Sequence, residues 1–288
     1  MLTDAYRLSN GVNIPVVGFG TWQTPDGDVA YNSVLEALKC GYRHVDTATA
    51  YGNEESVGRA INDFMKLSGV KREEIFVTTK LANPDHGYEK TKAAIERSLK
   101  ALNLSYVDLY LVHWPNPVMY RNAWKAFNAE SWKAMEEAYK EGKLRALGIS
   151  NFFPRHYEAL MESAEVVPMV NQIKLCPGEE QEALVSYCNE HNMVVEAYSP
   201  LGTGAMFNSP LMQSLSEKYG KSISQLCIRW SLQKGFLPLP KSVTPSRIEE
   251  NSKVFDFVIK EEDMKAMSAI DIGELGIKGQ RDPDITTF

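Results

Sequence analysis

A repeating unit runs through nearly the whole chain: a short apolar run rich in β-branched residues is followed each time by a stretch with helical periodicity. Eight such runs occur, and they span Val16–Gly20, Arg43–Asp46, Ile75–Thr79, Val107–His113, Ala146–Ser150, Met169–Ile173, Val194–Ala197 and Phe236–Leu239. The middle runs are too apolar for half-exposed antiparallel strands, so they favour parallel strands buried on both faces. Eight alternating units favour a closed barrel over an open sheet.

The stretches between the runs have the spacing of amphipathic helices; in Thr91–Leu102, for example, Ala94, Ile95 and Leu99 fall on one face. The predicted helices span Asp28–Lys39, Glu54–Leu67, Glu89–Leu102, Ala129–Glu141, Arg155–Ser163, Glu179–His191, Ser222–Gln233 and Pro245–Lys253. A hairpin with the turn Asn10-Gly11 precedes the first unit. The sequence thus predicts an α/β fold, a (β/α)₈ TIM barrel with an N-terminal β-hairpin, and residues 1–288 as a single domain.

Charge, hydropathy and cysteine usage limit the classes of binding partner and the location that we expect for the protein. A formal net charge of −6 argues against nucleic acid or an anionic membrane surface. No apolar run approaches the roughly 20 residues that span a bilayer, and the N-terminus lacks the pattern of a secretory signal. The four cysteines are scattered without a CxxC pair; they are Cys40, Cys176, Cys188 and Cys227. We therefore expect no metal site and a reducing, cytoplasmic location. We expect a monomer.

Polar residues stand at or just after the ends of the predicted strands, where the active sites of barrels lie. They are Asp46, Lys80, His113, Ser150, Asn151, Gln172, Tyr198, Ser199, Lys241 and Ser242. Each taken alone has an ordinary structural interpretation, such as a helix cap, a solvated lysine or a buried histidine with its hydrogen bonds satisfied. Their shared position at one end of the barrel is the clearest physical sign of a functional site.

Three of these side chains, Asp46, Lys80 and His113, together with Tyr51 suit the reduction of a carbonyl. That reaction needs a proton on oxygen and stabilisation of the developing alkoxide. A tyrosine such as Tyr51, of ordinary pKa about 10, is a weak acid at neutral pH unless a cation such as Lys80 stabilises its phenolate. Asp46 would hold the lysine, and His113 would orient the substrate oxygen. A barrel hydrolase that pairs Asp46 with another carboxylate is an alternative, although it has no need of Lys80.

Five segments resemble the signature of the aldo-keto reductases, in order and at that family's spacing. They are Asp46-Thr47-Ala48-Thr49-Ala50-Tyr51-Gly52-Asn53-Glu54, Thr78-Thr79-Lys80-Leu81, Leu111-Val112-His113-Trp114-Pro115, Gly148-Ile149-Ser150-Asn151-Phe152 and Leu239-Pro240-Lys241-Ser242-Val243-Thr244-Pro245. The resemblance implies NADPH-dependent reduction of aldehydes or ketones to alcohols. It makes Tyr51 the general acid, Lys80 the group that lowers the pKa of Tyr51, Asp46 the partner of Lys80, and His113 the group that orients the carbonyl.

The cofactor segment differs from a Rossmann fingerprint, because no GxGxxG opens a strand–helix unit. Lys241, Ser242 and Arg247 instead surround a helix start, which alone is equally consistent with a phosphate site and with a solvated basic patch. The resemblance favours NADPH with its 2′-phosphate on this cluster. The cofactor contacts that it implies are Gly20, Thr21, Trp22, Ser150, Asn151, Gln172, Tyr198, Ser199, Leu201, Lys241, Ser242, Val243, Arg247, Glu250 and Asn251.

Fewer residues of the sequence point to the part of the site that would bind the substrate. Four side chains are expected to form an aromatic wall around the carbonyl: Trp22, Tyr51, His113 and Trp114. Ala82 stands where the family usually has an aromatic residue, which predicts a wider pocket on that side. Lys174 replaces a usual acidic residue and is expected either at the pocket rim or facing solvent, with solvent favoured. The short polar tail resembles bacterial and protist members of the diketogluconate-reductase and prostaglandin-F-synthase-like group. Small aldehydes, α-dicarbonyls or keto sugars are the implied substrates; a redox-sensing regulatory subunit with slow turnover is the alternative.

Overall fold

The computed structural model describes residues 1–288. An antiparallel hairpin of strands β1 (Ala5–Arg7) and β2 (Asn13–Pro15) comes first. Eight further strands form one parallel sheet in chain order: β3 Phe19–Gly20, β4 His44–Asp46, β5 Phe76–Leu81, β6 Leu109–Val112, β7 Leu147–Ser150, β8 Val170–Lys174, β9 Val194–Tyr198 and β10 Leu237–Pro238. The sheet closes on itself, since the amides of Gly18 and Gly20 donate to the carbonyls of Pro238 and Pro240 at 3.1 and 3.0 Å.

Helices cover the outside of this barrel. Their bounds are α1 Asp28–Lys39, α2 Glu54–Ser68, α3 Tyr88–Leu102, α4 Trp124–Lys140, α5 Pro154–Met161, α6 Glu182–Glu190, α7 Pro210–Tyr219, α8 Ile223–Gln233, α9 Pro245–Ser252 and α10 Glu261–Ser268. None of the ten combines the length and apolar character needed to cross a membrane. The predicted (β/α)₈ barrel with an N-terminal hairpin is confirmed.

Several predicted bounds were wrong. Helix α4 begins at Trp124 rather than Ala129, and α6 begins at Glu182 rather than Glu179 because Gln181 adopts a positive φ of 46° that a helix cannot contain. Helices α7 and α10 were not predicted. The start of α7 nevertheless carries recognisable signals, since the Ser209 side chain accepts from the Met212 amide and Pro210 occupies the first turn.

Two buried apolar regions stabilise the barrel. The larger lies between sheet and helices, while a smaller one fills the interior near the starts of the strands. Leu8 and Ile14 of the hairpin belong to the inner region together with Phe76 and Leu109, so the hairpin closes that end of the barrel. The opposite end, where the strands finish, is left for polar side chains.

Candidate active site

The polar strand ends meet at the carboxyl end of the barrel, as the sequence predicted. Asp46 is the last residue of β4 and Lys80 the fifth of six residues in β5, and both are buried. The Lys80 ammonium donates to both Asp46 carboxylate oxygens at 2.7 and 2.8 Å and to the Thr47 carbonyl at 2.8 Å. It lies 3.3 Å from the Tyr51 hydroxyl. A carboxylate, an ammonium and a phenol therefore form one hydrogen-bonded chain.

The turn that carries Tyr51 is held by Asn53. This buried amide donates to the Thr21 and Thr24 carbonyls, both at 3.0 Å, and accepts from the Thr47 hydroxyl at 2.9 Å. Thr21 in turn donates its hydroxyl to the Asp46 carbonyl at 3.0 Å. These bonds fix the loop after β3 against the loop after β4, so the predicted Gly20–Trp22 segment lies beside the Asp46–Lys80 pair.

The pKa of Lys80 is raised: burial acts to lower it, but the Asp46 carboxylate and the Tyr51 hydroxyl outweigh burial. The pKa of Tyr51 is also raised, because burial outweighs the opposing attraction of Lys80. Lys80 thus acts in the expected direction, whereas the expectation of a net depressed pKa for Tyr51 was wrong. A phenol in this setting stays protonated at neutral pH, with a cation in place to stabilise the anion that proton transfer would leave.

His113 follows β6 and meets the Tyr51 ring edge-on, with ring centroids 5.7 Å apart. Burial, aided by the charge of Lys80, lowers the pKa of His113 to about 3. The imidazole is therefore neutral at neutral pH.

This neutral state predicts a pH profile. Because the pKa of His113 lies far below the ordinary value of about 6.5, we expect kcat/KM for carbonyl reduction to show no acid limb attributable to a histidine between pH 5 and 7. A buffer-matched pH series on the wild-type protein and His113→Asn checks this. A limb near pH 6.5 that the substitution removes would show that the histidine acts in its charged form.

The predicted amide-binding residues also converge. Asn151 donates to the His113 carbonyl and to the Ser150 hydroxyl at 3.0 Å each, and Ser150 donates to the Gln172 carbonyl at 2.9 Å. The Tyr198 hydroxyl donates to Asn151 Oδ1 at 2.9 Å. Ser199 has a positive φ of 52°, which is uncommon for serine and recurs at functional sites, and Asn151 has one of 62°, which asparagine adopts more readily.

The segment expected to hold a phosphate surrounds the start of α9. The Lys241 ammonium reaches the Gln23 carbonyl at 3.3 Å, so this segment meets the loop after β3. Arg247 is exposed on the first turn, and the neighbouring Glu249 pairs with Lys253 instead at 2.7 Å. The Asn251 Oδ1 atom is buried without a hydrogen-bond partner in the chain. Lys241 and Arg247 thus lie at a helix start without a carboxylate partner, which suits a phosphate group. The unpartnered Asn251 oxygen suits an amino group of the same nucleotide.

The predicted aromatic wall forms only in part. Tyr51 and His113 are in contact, but Trp114 packs edge-on against Phe288 of the tail, with centroids 5.0 Å apart. Trp22 is 48% exposed, and its ring packs against none of the other three. Lys174 is partly buried, and its ammonium donates to the Lys278 carbonyl of the tail in a contact that is exposed to solvent.

Three further residues at the site were not predicted: Glu196, Gln280 and Phe288. Gln280 donates to Asn151 Oδ1 at 2.9 Å, and Glu196 accepts from Gln172 at 2.8 Å. Glu196 is detectable in the sequence as the one carboxyl inside the apolar run Val194–Ala197. Gln280 and Phe288 lie in a tail without periodicity, so no sequence signal marked them.

Comparison with known proteins agrees with this geometry. The model of the Aldo/keto reductase family matches residues 16–272. The glyoxal reductase of Bacillus subtilis is 44% identical over 273 residues, which is 95% of each chain. The 9,11-endoperoxide prostaglandin H2 reductase of Trypanosoma cruzi is 43% identical, covering 93% of this chain and 91% of its own. A solved structure of a Gox0644 mutant in complex with NADPH superimposes over 100% of both chains, with a TM-score of 0.89 at 38% identity.

A parallel barrel with an Asp–Lys–Tyr chain at its carboxyl end defines the class of protein, a barrel oxidoreductase. The chain belongs to the aldo/keto reductase family. The prediction of an NADPH-dependent carbonyl reductase is confirmed.

Proposed function

We propose that the protein reduces small aldehydes and α-dicarbonyls to alcohols, with Tyr51 as the proton donor. The observation that carries this proposal is the hydrogen-bonded chain from Asp46 through Lys80 to the Tyr51 hydroxyl. The identity with a glyoxal reductase supports α-dicarbonyls over the keto sugars that the sequence also allowed.

Each of the four residues would have a separate role in the reduction. NADPH supplies the hydride that the carbonyl carbon accepts. Tyr51 donates its proton to the carbonyl oxygen, and Lys80 stabilises the phenolate that remains; Asp46 keeps the lysine charged and in place. The attraction between the Lys80 cation and the Tyr51 oxygen is stronger once the proton has left Tyr51 than before. An interaction that strengthens toward the transition state in this way accelerates the proton-transfer step. Neutral His113 donates a hydrogen bond to the same oxygen.

The cofactor would lie across the carboxyl end of the barrel, between the loop after β3 and helix α9. Ser150, Asn151 and Gln172 would hold the nicotinamide amide, and the ring of Tyr198 would stack on the nicotinamide. Lys241, Ser242 and Arg247 would hold the 2′-phosphate, and Asn251 would accept from the adenine amino group. The other proposed cofactor contacts are Gly20, Thr21, Trp22, Ser199, Leu201, Val243 and Glu250.

The phosphate contact predicts a cofactor effect. We expect Arg247→Ala to weaken NADPH binding by about 10- to 100-fold, since a hydrogen bond to a charged group contributes roughly 1.5–3 kcal/mol, and to leave NADH binding unchanged. Fluorescence titration with both cofactors measures this. Lys39→Ala removes a likewise exposed positive charge at the end of α1 and serves as the control. Equal weakening in both variants would trace the effect to net charge and remove Arg247 from the phosphate site.

A substrate panel tests the function itself. NADPH consumption is followed with glyoxal, methylglyoxal, simple aldehydes, keto acids and keto sugars, and we expect the highest kcat/KM with the dicarbonyls. No turnover with any carbonyl would overturn the proposal. A single domain over residues 1–288, a monomeric state and a cytoplasmic location remain predictions.

A further inference from the structure

A second carboxyl lies inside the barrel, one step beyond the Asp46–Lys80 pair. Glu196 is in the middle of β9 and is fully buried. Its Oε2 atom accepts from the Gln172 side-chain nitrogen at 2.8 Å, and that same nitrogen donates to Asp46 Oδ2 at 2.9 Å. Gln172 therefore bridges two carboxyl groups that belong to different strands, β4 and β9.

The charged and titratable groups that face Glu196 come from three other segments: His44 and Asp46 of β4, Lys80 of β5, and Tyr51. The Lys80 ammonium donates its hydrogen bonds to Asp46, Thr47 and Tyr51 and makes none to Glu196. The nearest imidazole nitrogen, that of His44, is 3.8 Å from Glu196 Oε1.

Glu196 is poorly placed to be an anion. Its only hydrogen bond comes from a neutral amide, and Oε1 has no partner in the chain. A buried carboxylate that no cation contacts directly is costly, and the group takes up a proton instead. Burial, followed by the Asp46 charge, raises the pKa of Glu196 to about 8, in agreement with this geometry.

A neutral carboxyl at this position still orients Gln172. Both hydrogens of the amide nitrogen point to carboxyl oxygens, Asp46 Oδ2 and Glu196 Oε2. With the acid proton on Oε1, Oε2 remains an acceptor, so the amide cannot turn over without placing its oxygen against two acceptors. The Gln172 side-chain oxygen accepts no hydrogen bond from the protein and lies on the side of the amide away from the two carboxyls. It is left as an acceptor for a ligand amide.

We propose that Glu196 is a positioning residue: held as a neutral carboxylic acid, it fixes the Gln172 amide so that the oxygen faces the nicotinamide amide. This inference rests on the proposed function for the identity of the ligand. Neutrality has a second consequence, since a charge on Glu196 would repel the Tyr51 phenolate and weaken Tyr51 as an acid.

Two substitutions separate the hydrogen bond from the charge. Glu196→Gln keeps a neutral acceptor of similar size, whereas Glu196→Met keeps the bulk without the acceptor. At pH 7 we expect NADPH dissociation constants within about twofold of the wild type for Glu196→Gln and about tenfold weaker for Glu196→Met, a factor that corresponds to about 1.4 kcal/mol. In Glu196→Gln the alkaline fall of kcat/KM should begin at higher pH than in the wild type.

The protonation state is read directly by infrared spectroscopy. The wild-type protein at pH 7 should show the carbonyl band of a buried, protonated carboxylic acid, and Glu196→Gln should lack it. Absence of that band from the wild type, or wild-type NADPH affinity in Glu196→Met, overturns the inference. If Glu196→Met does not fold, Glu196→Thr removes the same contact. Neither the band nor the binding measurement requires turnover, so failure of the carbonyl-reductase proposal would appear separately as wild-type inactivity with both results intact.

Discussion

Tyr51→Phe is expected to lower kcat for carbonyl reduction by about 10²- to 10⁴-fold, the range that general acid catalysis contributes, while the NADPH dissociation constant stays within about twofold of the wild type. The substitution removes only the hydroxyl that lies 3.3 Å from Lys80, and the ring that packs edge-on against His113 remains. Single-turnover measurements with a dicarbonyl, together with fluorescence titration of NADPH, separate the chemical step from binding.

A matched control is available in Tyr42. This tyrosine is buried beside the end of α1, away from the site, and its hydroxyl has no hydrogen-bond partner. Tyr42→Phe therefore removes the same atom from a buried ring and should leave the kinetic constants unchanged. Retention of wild-type kcat in Tyr51→Phe would reject Tyr51 as the proton donor. A fall in NADPH affinity equal to the fall in kcat would mean that the hydroxyl holds the cofactor instead.

The fold could be predicted because its signals are local and repeated. Eight buried parallel strands leave eight apolar runs, and a barrel sends all their carboxyl ends to one face. That single consequence brings Asp46 and Lys80 together although 34 positions separate them in the chain. Element bounds were less predictable, because they depend on single backbone conformations such as the positive φ of Gln181.

The pKa of Tyr51 shows what pairwise reasoning from sequence leaves out. The sequence indicates that a lysine lies near the phenol, and the attraction does lower the pKa, but burial is the larger effect and only the packed structure provides it. The contacts of Gln280 and Phe288 were missed for a related reason. They depend on where an irregular tail lies, and no periodicity of the tail specifies that position.

Lys80→Met should cause the largest loss of stability among the substitutions considered, together with loss of turnover. Both partners of the Lys80–Asp46 pair are buried, and the ammonium makes two hydrogen bonds to the carboxylate. Removing one partner of a buried ion pair leaves the other charge uncompensated and costs about 3–5 kcal/mol. Chemical denaturation at pH 7 measures the change in the free energy of unfolding, provided that the transition remains two-state.

The double variant Lys80→Met/Asp46→Asn separates stability from catalysis. With both charges removed, no unpaired anion stays buried, and the amide oxygen introduced by Asp46→Asn can still accept from the Gln172 amide, which bonds Asp46 at 2.9 Å in the wild type. We therefore expect the double variant to recover most of the lost free energy of unfolding without recovering turnover, since no cation remains to stabilise the Tyr51 phenolate. Equal stability of the single variant and the wild type would show that Asp46 takes up a proton when Lys80 is absent. Turnover in the double variant would show that Tyr51 donates its proton without help from the lysine charge.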